Sequence, residues 1–478
     1  MELHIVLDGR KDLTGQLYRQ LRDAIRSGRL AGGAQLPPSR LLSDQLGVSR
    51  KTVAEAYAKL TIDKLLTSQV GIGTFVAKTP KAATLQPPRK ALAGEAVLRH
   101  WSTIRTPLRH LGPEGGSRYE FIGGYATKAP FPHDEWRRCM TVALRAGTED
   151  LGRYSGAEGL RALRESVARH AGFLRGVRCT SQDIVITNGA QQALDLVARV
   201  LVEPGATVAV EEPGYPPARL LFESQGAKVV GVPVDADGMM VEQIPSGTRL
   251  IYTTPSHQFP LGMSMSAARR EALLARAAEL GAVIIEDDYD CAFRYEGSAL
   301  DSLQSMDRDG LVVYVGTFSK VLLPEVRVGY LVAPPALLEA VTTAKHLTDW
   351  HTPTLLQRAV ARFIDSGALA RHIRRCHATY ASRRDKILRR LTTDLSPWFE
   401  PIPAVAGFHL SASLRSDLDV ELLCRLARRL EVGLYPLGPF YHGPVTRPGL
   451  LFGFGAIDTI DIDEALDRVR HALTEMTA

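Results

Sequence analysis

The chain has 478 residues, more than a single ordinary hydrophobic core organises, so two or more domains are expected. Its composition, 45% hydrophobic and 23% charged with a net charge of +6, is that of a globular protein, and no run of about 18 apolar residues predicts a membrane span. The odd number of scattered cysteines argues against a disulfide framework or a zinc site and fits a reducing cytoplasm: Cys139, Cys179, Cys291, Cys376 and Cys424.

Positive charge is concentrated at the front of the chain. Residues 1–120 hold 19 Lys and Arg against 10 Asp and Glu, a net charge of +9, whereas the remainder holds 39 against 42, a net charge of −3. A basic front end on a slightly acidic body indicates a nucleic-acid-binding module attached to another domain, although a solubilising surface would give the same charge.

The first 60 residues predict three helices. Apolar residues recur at helical spacing over 16–26, and glycines end that segment. Ser39 is predicted to cap a helix over 40–46, and Ser49 to cap a second helix over 50–60 after the Gly-Val turn. The order of short helix, glycine turn and basic helix is typical of a helix-turn-helix. Four residues of the second helix are expected to face inward: Val53, Ala56, Tyr57 and Leu60.

Two short strands, 65–68 and 73–76, follow and predict a wing. The stretches 36–40, 46–50 and 71–76 resemble the GntR-type winged helix-turn-helix of bacterial repressors, over about residues 10–77. The resemblance implies binding to operator DNA. It also implies DNA contacts for five residues: Arg40, Ser49, Arg50, Thr52 and Gly73.

Residues 79–118 are rich in proline, glycine and basic side chains and have weak periodicity, which predicts a linker. The expected organisation is therefore a DNA-binding domain over 1–78, this linker, and a body over 119–478.

The body alternates helical and strand patterns, which indicates an α/β domain with a mostly parallel sheet. Predicted strands cover 184–187, 207–210, 229–232, 250–253, 282–285 and 311–315, and an amphipathic helix covers 160–170. From about residue 345 onward the sequence is helix-rich, with strands near 407–410 and 450–454, which predicts a smaller α+β lobe.

Ligands of such sheets bind beyond the carboxyl ends of the strands, and polar residues stand there. The turn 187–191 offers backbone N–H groups to a phosphate. Tyr215 can stack on a flat ring, Asp287 can pair with a pyridinium nitrogen, and Tyr289 can hydrogen-bond a phenolate oxygen. Each residue alone also fits an ordinary turn, cap or core position; their joint occurrence in this order favours a site.

Lys320 follows the strand 311–315 directly and completes that set. The hydroxyls of Thr317 and Ser319 and the guanidinium of Arg327 suit a phosphate dianion, and a lysine of lowered pKa can form a Schiff base with an aldehyde. The aldehyde-phosphate that fits is pyridoxal 5'-phosphate. A surface lysine after a buried strand is the simpler alternative.

Over residues 119–475 this pattern resembles the fold-type I pyridoxal-phosphate-dependent aminotransferases. The resemblance implies that the backbone of Ala190 and Gln191 binds the phosphate with Arg327, and that Lys320 carries the cofactor. A GntR-like head on an aminotransferase-like body resembles the MocR/GabR family of bacterial transcriptional regulators, which implies a cytoplasmic homodimer that responds to pyridoxal phosphate or to an amino compound.

Two positions depart from the aminotransferase pattern. Phe259 stands where those enzymes carry an asparagine, and Leu451 stands where they carry the arginine that binds the substrate carboxylate; Arg447 lies at the wrong spacing to replace it. We therefore expect a pyridoxal-phosphate-responsive regulator with little or no transaminase turnover. The alternatives are a working aminotransferase with an accessory head, or a DNA-binding protein whose body is purely structural.

Overall fold

The computed structural model describes residues 5–9, 11–69, 72–77, 101–104, 116–127, 131–146, 152–290, 292–297, 301–415 and 418–477. Its contacts divide the chain into two units, Met1–Arg99 and His100–Ala478. Of the predicted linker, residues 101–104 and 116–118 are described, with a helical turn at 101–103; the rest of that prediction lies outside the described residues. No helix in the described part of the chain is long and apolar enough to cross a membrane.

The N-terminal unit is a winged helix-turn-helix. Its helices are α1 (Leu13–Arg26), α2 (Ser39–Leu46) and α3 (Arg50–Ile62), and its strands are β1 (Gln35–Leu36), β2 (Leu66–Gln69) and β3 (Gly73–Val76). The strands form an antiparallel sheet in the order β1-β3-β2, in which β2 and β3 are the predicted wing. The sequence pattern did not predict β1, which is two residues long.

The two predicted helix caps of this unit have different outcomes. Ser49 is the N-cap of α3, since its side chain accepts the Thr52 N–H at 3.1 Å. The prediction for Ser39 is wrong: α2 begins at Ser39 itself, with Pro38 in the cap position and no side-chain cap bond. Proline holds the backbone extended there, so the helix begins one residue early.

The predicted inward face of α3 is confirmed, because Val53, Ala56 and Leu60 are fully buried and Tyr57 nearly so. The Tyr57 hydroxyl donates to the Pro37 carbonyl at 2.9 Å, which ties α3 to the start of α2. This core leaves Arg50 and Lys51, the first two residues of α3, exposed.

The body contains an eight-stranded sheet whose strands are β5 (Ile184–Thr187), β6 (Thr207–Glu212), β7 (Lys228–Asp235), β8 (Gly238–Met239), β9 (Thr248–Thr253), β10 (Val283–Asp288), β11 (Val312–Thr317) and β12 (Gly329–Val332). The order is β5-β12-β11-β10-β9-β6-β7-β8. All pairs are parallel except those made by β12 and β8. The predicted mostly parallel sheet is confirmed.

Helices surround this sheet and the smaller lobe. They are α4 (His133–Ala146), α5 (Arg161–Arg175), α6 (Ala190–Leu201), α7 (Pro216–Ser224), α8 (Ala267–Leu280), α9 (Leu303–Met306), α10 (Pro335–Asp349), α11 (Thr354–Asp365), α12 (Ala368–Thr392), α13 (Val420–Arg429) and α14 (Ile462–Thr477). The lobe has an antiparallel sheet of β13 (Phe399–Pro401), β14 (His409–Leu414), β17 (Gly449–Gly453) and β16 (Tyr435–Pro436), and β4 (Tyr119–Glu120) pairs with β15 (Val432–Gly433).

Polar residues lie at one end of the strands of the large sheet, which we call its polar edge. The carboxyl ends of β5, β6, β9, β10 and β11 lie there because these strands run in the same direction, and the antiparallel β12 begins there. The central strands are mostly apolar and buried, and polar side chains are concentrated at their carboxyl ends and in the loops that follow.

Ser49→Ala should destabilise α3 by about 1 kcal/mol, because the Thr52 N–H loses its cap acceptor. Amide hydrogen exchange of α3 in the full-length protein measures this as a loss of protection. Ser39→Ala is the matched control, since that side chain makes no cap bond. Equal loss of protection in both variants would contradict the assignment.

Candidate functional site

Lys320 lies three residues beyond the end of β11, at the polar edge of the sheet. Its Nζ donates to the carbonyl of Gly124 at 2.6 Å. Burial lowers the pKa of this amine, and the negative charges of Asp290 and Asp287 oppose that shift. The site therefore contains an amine that burial makes easier to deprotonate, which a nucleophile requires.

A group of donors beside this lysine is suited to an anion. Arg327 has a left-handed backbone (φ 49°) and its guanidinium donates to the Asn188 carbonyl at 2.9 Å. A β-carbon on Gly189 would lie 2.8 Å from that guanidinium, so this position needs glycine. Ala190 and Gln191 begin α6, and the first N–H groups of a helix have no acceptor within the helix.

Two hydroxyls after β11 complete the donor group. Thr317 Oγ1 accepts the Ser319 N–H at 3.2 Å. Ser319 Oγ is buried and has no hydrogen-bond partner among the described residues. By contrast, the N–H of Asn188 donates to Gln192 Oε1 at 2.8 Å and is not free for a ligand. Of the backbone donors predicted over 187–191, those at the start of α6 therefore remain for an anion.

Asp287 has a buried carboxyl group in which one oxygen accepts a hydrogen bond and the other has no partner among the described residues. The Tyr252 hydroxyl donates to Oδ2 at 2.8 Å, while Oδ1 finds no donor within the part of the chain that the structure describes. Burial raises the pKa of Asp287 to about 7, and the hydrogen bond from Tyr252 opposes the rise. A buried acceptor of this kind suits a ligand N–H group.

An aromatic wall borders the site. Tyr215 is the N-cap of α7, and its ring meets Phe259 edge-on, with centroids 5.5 Å apart. Phe259 also contacts Phe440 at 5.1 Å, His409 at 5.5 Å and Tyr289 at 6.1 Å. Phe259 therefore occupies the centre of an aromatic cluster, where an asparagine would have offered a hydrogen-bond donor.

Tyr289 is half-buried, and its hydroxyl contacts His257. It donates to the His257 carbonyl at 3.0 Å and lies 3.1 Å from Nδ1 of the same residue. His257 Nδ1 is also 2.9 Å from Asp290 Oδ1. His257, Asp290 and His409 form the one group of three potential metal-binding residues in the described chain whose ligand atoms all lie within 4.8 Å of one another. The Nδ1 atom of His257 is already hydrogen-bonded to Asp290.

Leu451 lies on β17 and is buried in an apolar cluster with Leu261, Met263 and Leu437. A β-carbon on Gly123 would lie 2.8 Å from its side chain, so Leu451 fills the space beside the segment that contacts Lys320. Arg447 precedes β17 and is exposed.

Several residues of this site escaped the sequence analysis. Tyr252, His257, Asp290 and Gly124 each touch a predicted site residue. Another is Glu211, a fully buried carboxylate that accepts the Thr253 hydroxyl and the N–H and hydroxyl of Thr254 and so holds the loop that leads to His257. The one available signal was position, because all but Gly124 end or follow a predicted strand.

The candidate DNA-contacting residues lie on the N-terminal unit. Arg40 on α2 and Arg50 at the start of α3 are exposed, and neither guanidinium pairs with a carboxylate of any described residue. Ser49 and Thr52 are joined by a hydroxyl contact of 2.9 Å at that helix start. Gly73 begins β3 with a φ of 143°, and the Gln35 amide fills the space that a side chain would need.

Two family profiles match the chain. Bacterial regulatory proteins of the gntR family match residues 13–76, and aminotransferase class I and II matches residues 131–468. The second match shows that the body has the fold of these aminotransferases, which depend on pyridoxal phosphate.

Curated relatives share both parts. The chain is 35% identical to the probable rhizopine catabolism regulatory protein MocR of Rhizobium meliloti, covering 98% of this chain and 95% of the relative. It is 36% identical to the transcriptional regulator TauR of Rhodobacter capsulatus, covering 97% of each. It is 32% identical to the pyridoxine biosynthesis regulator PdxR of Corynebacterium glutamicum, covering 97% and 94%.

Solved structures resemble the body. An α-aminoadipate aminotransferase, LysN of Thermus thermophilus, complexed with N-(5'-phosphopyridoxyl)-L-leucine, matches 80% of this chain and 98% of its own at 29% identity and a TM-score of 0.72. A kynurenine aminotransferase of Pyrococcus horikoshii matches 81% and 95% at 27% identity and a TM-score of 0.70.

Asp287→Asn should flatten the pH dependence of the body's stability. The folded pKa of about 7 lies above the unfolded value, which is about 4. The ligand-free wild type should therefore lose stability as pH rises from about 4 through 7, by on the order of 4 kcal/mol. Urea unfolding across this pH range measures the slope. Glu339→Gln, an exposed carboxyl on α10, is the control; an unaltered slope in Asp287→Asn would contradict the assignment.

Proposed function

The chain belongs to the MocR-type family of GntR-headed regulators with an aminotransferase-like body, and from that premise we propose that it is a DNA-binding transcriptional regulator that responds to pyridoxal 5'-phosphate. One observation carries the proposal. Ser319 Oγ and Asp287 Oδ1 are buried without hydrogen-bond partners among the described residues, and both lie at the sheet edge that carries Lys320. Leaving such atoms unsatisfied is costly, so they are suited to a polar ligand.

The residues at this edge are suited to the pyridine nitrogen, the ring, the ring hydroxyl and the aldehyde of pyridoxal phosphate. Asp287 would accept the pyridine N–H, and a carboxyl of pKa about 7 beside a cationic nitrogen would ionise more readily than in the ligand-free protein. Tyr215 would pack against the ring and Tyr289 would contact the ring hydroxyl. Lys320 would form the Schiff base. When bound, the cofactor supplies an electron sink.

The donor group beside Gly189 would hold the phosphate. Arg327 contributes charge, Thr317 and Ser319 contribute hydroxyls, and the N–H groups of Ala190 and Gln191 come from a helix start, where the dipole favours anions. The hydrogen bond from Arg327 to the Asn188 carbonyl positions the guanidinium here, and Gly189 leaves the space that it occupies.

The head would bind operator DNA through Arg40, Ser49, Arg50, Thr52 and Gly73, as the gntR-family match supports. We propose that the domains are 1–78, a linker at 79–118 and 119–478, and that the body forms a cytoplasmic homodimer. Two heads on one dimer would read two half-sites, whose separation the body sets.

The effector is pyridoxal phosphate itself or an amino compound that reacts with it. The relative PdxR is named for pyridoxine biosynthesis, and MocR and TauR carry other names, so members differ in what they regulate. A working aminotransferase with an accessory head is the second candidate, which the solved aminotransferases favour. Leu451 weighs against it, because an apolar side chain cannot fix a substrate carboxylate.

Borohydride reduction in the presence of pyridoxal phosphate should leave a covalent adduct on Lys320 and none on Lys320→Ala protein. In the wild type the cofactor should change operator affinity by about 1–3 kcal/mol, and Lys320→Ala should lose that response. Mass spectrometry and DNA titration measure the two effects. Lys228→Ala, at an exposed lysine of β7, is the control that keeps both.

Two results would contradict this proposal. A reduced adduct that persists in Lys320→Ala protein would reject the lysine assignment. Transaminase turnover near one per second with DNA affinity indifferent to the cofactor would favour the enzyme.

Arg50→Ala should weaken operator binding by about 1–3 kcal/mol, because an exposed guanidinium at the start of a recognition helix reaches the DNA. If Arg50 contacts a base, discrimination between sequences should relax; if it contacts phosphate, the salt dependence should fall instead. Fluorescence anisotropy on operators selected from random DNA measures both, with Arg40→Ala as a second test. Arg161→Ala, an exposed arginine of the body, is the control, and unchanged affinity of both head variants would reject the DNA interface.

A further inference from the structure

Tyr289, His257 and Asp290 form a hydrogen-bonded chain that neither the family matches nor the proposed function assigns. All three come from loops at the polar edge of the sheet. His257 and Asp290 are each only 2% exposed. Asp290 is also the carboxylate that acts most strongly on the Lys320 ammonium, ahead of Asp287. The chain therefore borders the reactive amine.

The hydrogen-bond directions within this chain follow from its geometry. His257 Nδ1 lies 2.9 Å and 3.0 Å from the two oxygens of Asp290. A carboxylate only accepts hydrogen bonds, so Nδ1 carries the hydrogen. The same nitrogen is 3.1 Å from the Tyr289 hydroxyl oxygen, whose own hydrogen is directed at the His257 carbonyl. Tyr289 is thus both a donor to His257 and a potential acceptor from it.

We propose that His257 is a positioning residue that orients the Tyr289 hydroxyl for a ligand oxygen. This inference rests on the proposed function, in which that oxygen is the ring hydroxyl of pyridoxal phosphate. When the ligand binds, the phenolic hydrogen turns from the His257 carbonyl to the ligand oxygen. The Nδ1–H of His257, held by Asp290, then donates to the Tyr289 oxygen and strengthens Tyr289 as a donor. No proton is transferred.

The surroundings are shaped for this chain. Gly407 has a φ of 78°, and a β-carbon there would lie 2.1 Å from the His257 ring and 2.5 Å from an Asp290 oxygen. Phe259, in the neighbouring aromatic cluster, has no side-chain hydrogen to donate. The Tyr289 hydroxyl, by contrast, can donate a hydrogen bond to a ligand oxygen.

His409 provides a matched comparison. Its ring lies 4.3 Å from that of His257, tilted by 40°, and it is just as buried, at 1% exposure. Its contact with Tyr289 is through the ring face, with centroids 6.5 Å apart, and not through the hydroxyl. Burial lowers the pKa of His409 well below the usual range, so it stays neutral. A merely structural role for His257 in packing predicts equal effects from both histidines.

The first test uses the ligand-free full-length protein. With 15N-labelled histidine, NMR should show His257 protonated at Nδ1, and this proton resonance should move farther in Tyr289→Phe than in His409→Phe protein, because only the Tyr289 hydroxyl lies at hydrogen-bond distance from Nδ1. An unprotonated Nδ1, or a resonance indifferent to Tyr289→Phe, would overturn the inference. Because no cofactor is present, this result stands even if the wild type yields no borohydride adduct, which would reject the proposed function alone.

The second test adds pyridoxal phosphate and records the ratio of the visible to the near-ultraviolet absorption band. His257→Phe should lower this ratio about fivefold, the effect of one ordinary hydrogen bond on an equilibrium. His257→Asn should restore it, since the Asn amide can place an N–H near the Nδ1 position, and His409→Phe should keep it. In the Tyr289→Phe background His257→Phe should have no further effect. An equal fall in His409→Phe, or a full additional fall in the double variant, would overturn the inference.

Discussion

Desolvation of negative charge at one edge of the large sheet is the constraint on which the rest of the site depends. Five carboxyl side chains are buried there: Glu211, Glu286, Asp287, Asp288 and Asp290. Four of them have their acceptor capacity engaged, by hydroxyls, backbone N–H groups, a guanidinium or an imidazole. Buried charge is tolerated only when it is compensated in this way. The exception is Asp287, whose Oδ1 has no hydrogen-bond partner among the described residues.

The sequence predicted the strands that form this edge better than the side-chain contacts between its loops. Apolar runs that end in polar residues located each strand of the large sheet except β8 and β12, and the residues after them, from Tyr215 to Lys320, come together in the structure. The misassigned cap at Ser39 reflects a local competition that a preceding proline decided. Boundaries shifted by a few residues because strand ends depend on pairing partners.

The residues that were missed share a different property. Gly124 meets Lys320 across 196 positions, and His257 meets Asp290 across 33. Neither contact has a local pattern, because each depends on how two loops fold over the same sheet edge. Glu211 was missed for another reason. A carboxylate after an apolar run predicts the end of a strand, whereas Glu211 accepts hydrogen bonds that hold a neighbouring loop.

The hydrogen bond between Lys320 and Gly124 joins the two lobes of the body. Residues 121–125 are pinned to the small lobe, since the Gly453 N–H of β17 donates to the Phe121 carbonyl at 2.9 Å. Lys320 belongs to the large sheet. Other hydrogen bonds also join the two lobes, among them the bond from the Gly214 N–H to the Phe440 carbonyl at 3.0 Å, so Lys320 makes one of several contacts between them. A reaction that consumed the Lys320 amine would remove the hydrogen bond to Gly124 and leave the other contacts between the lobes in place.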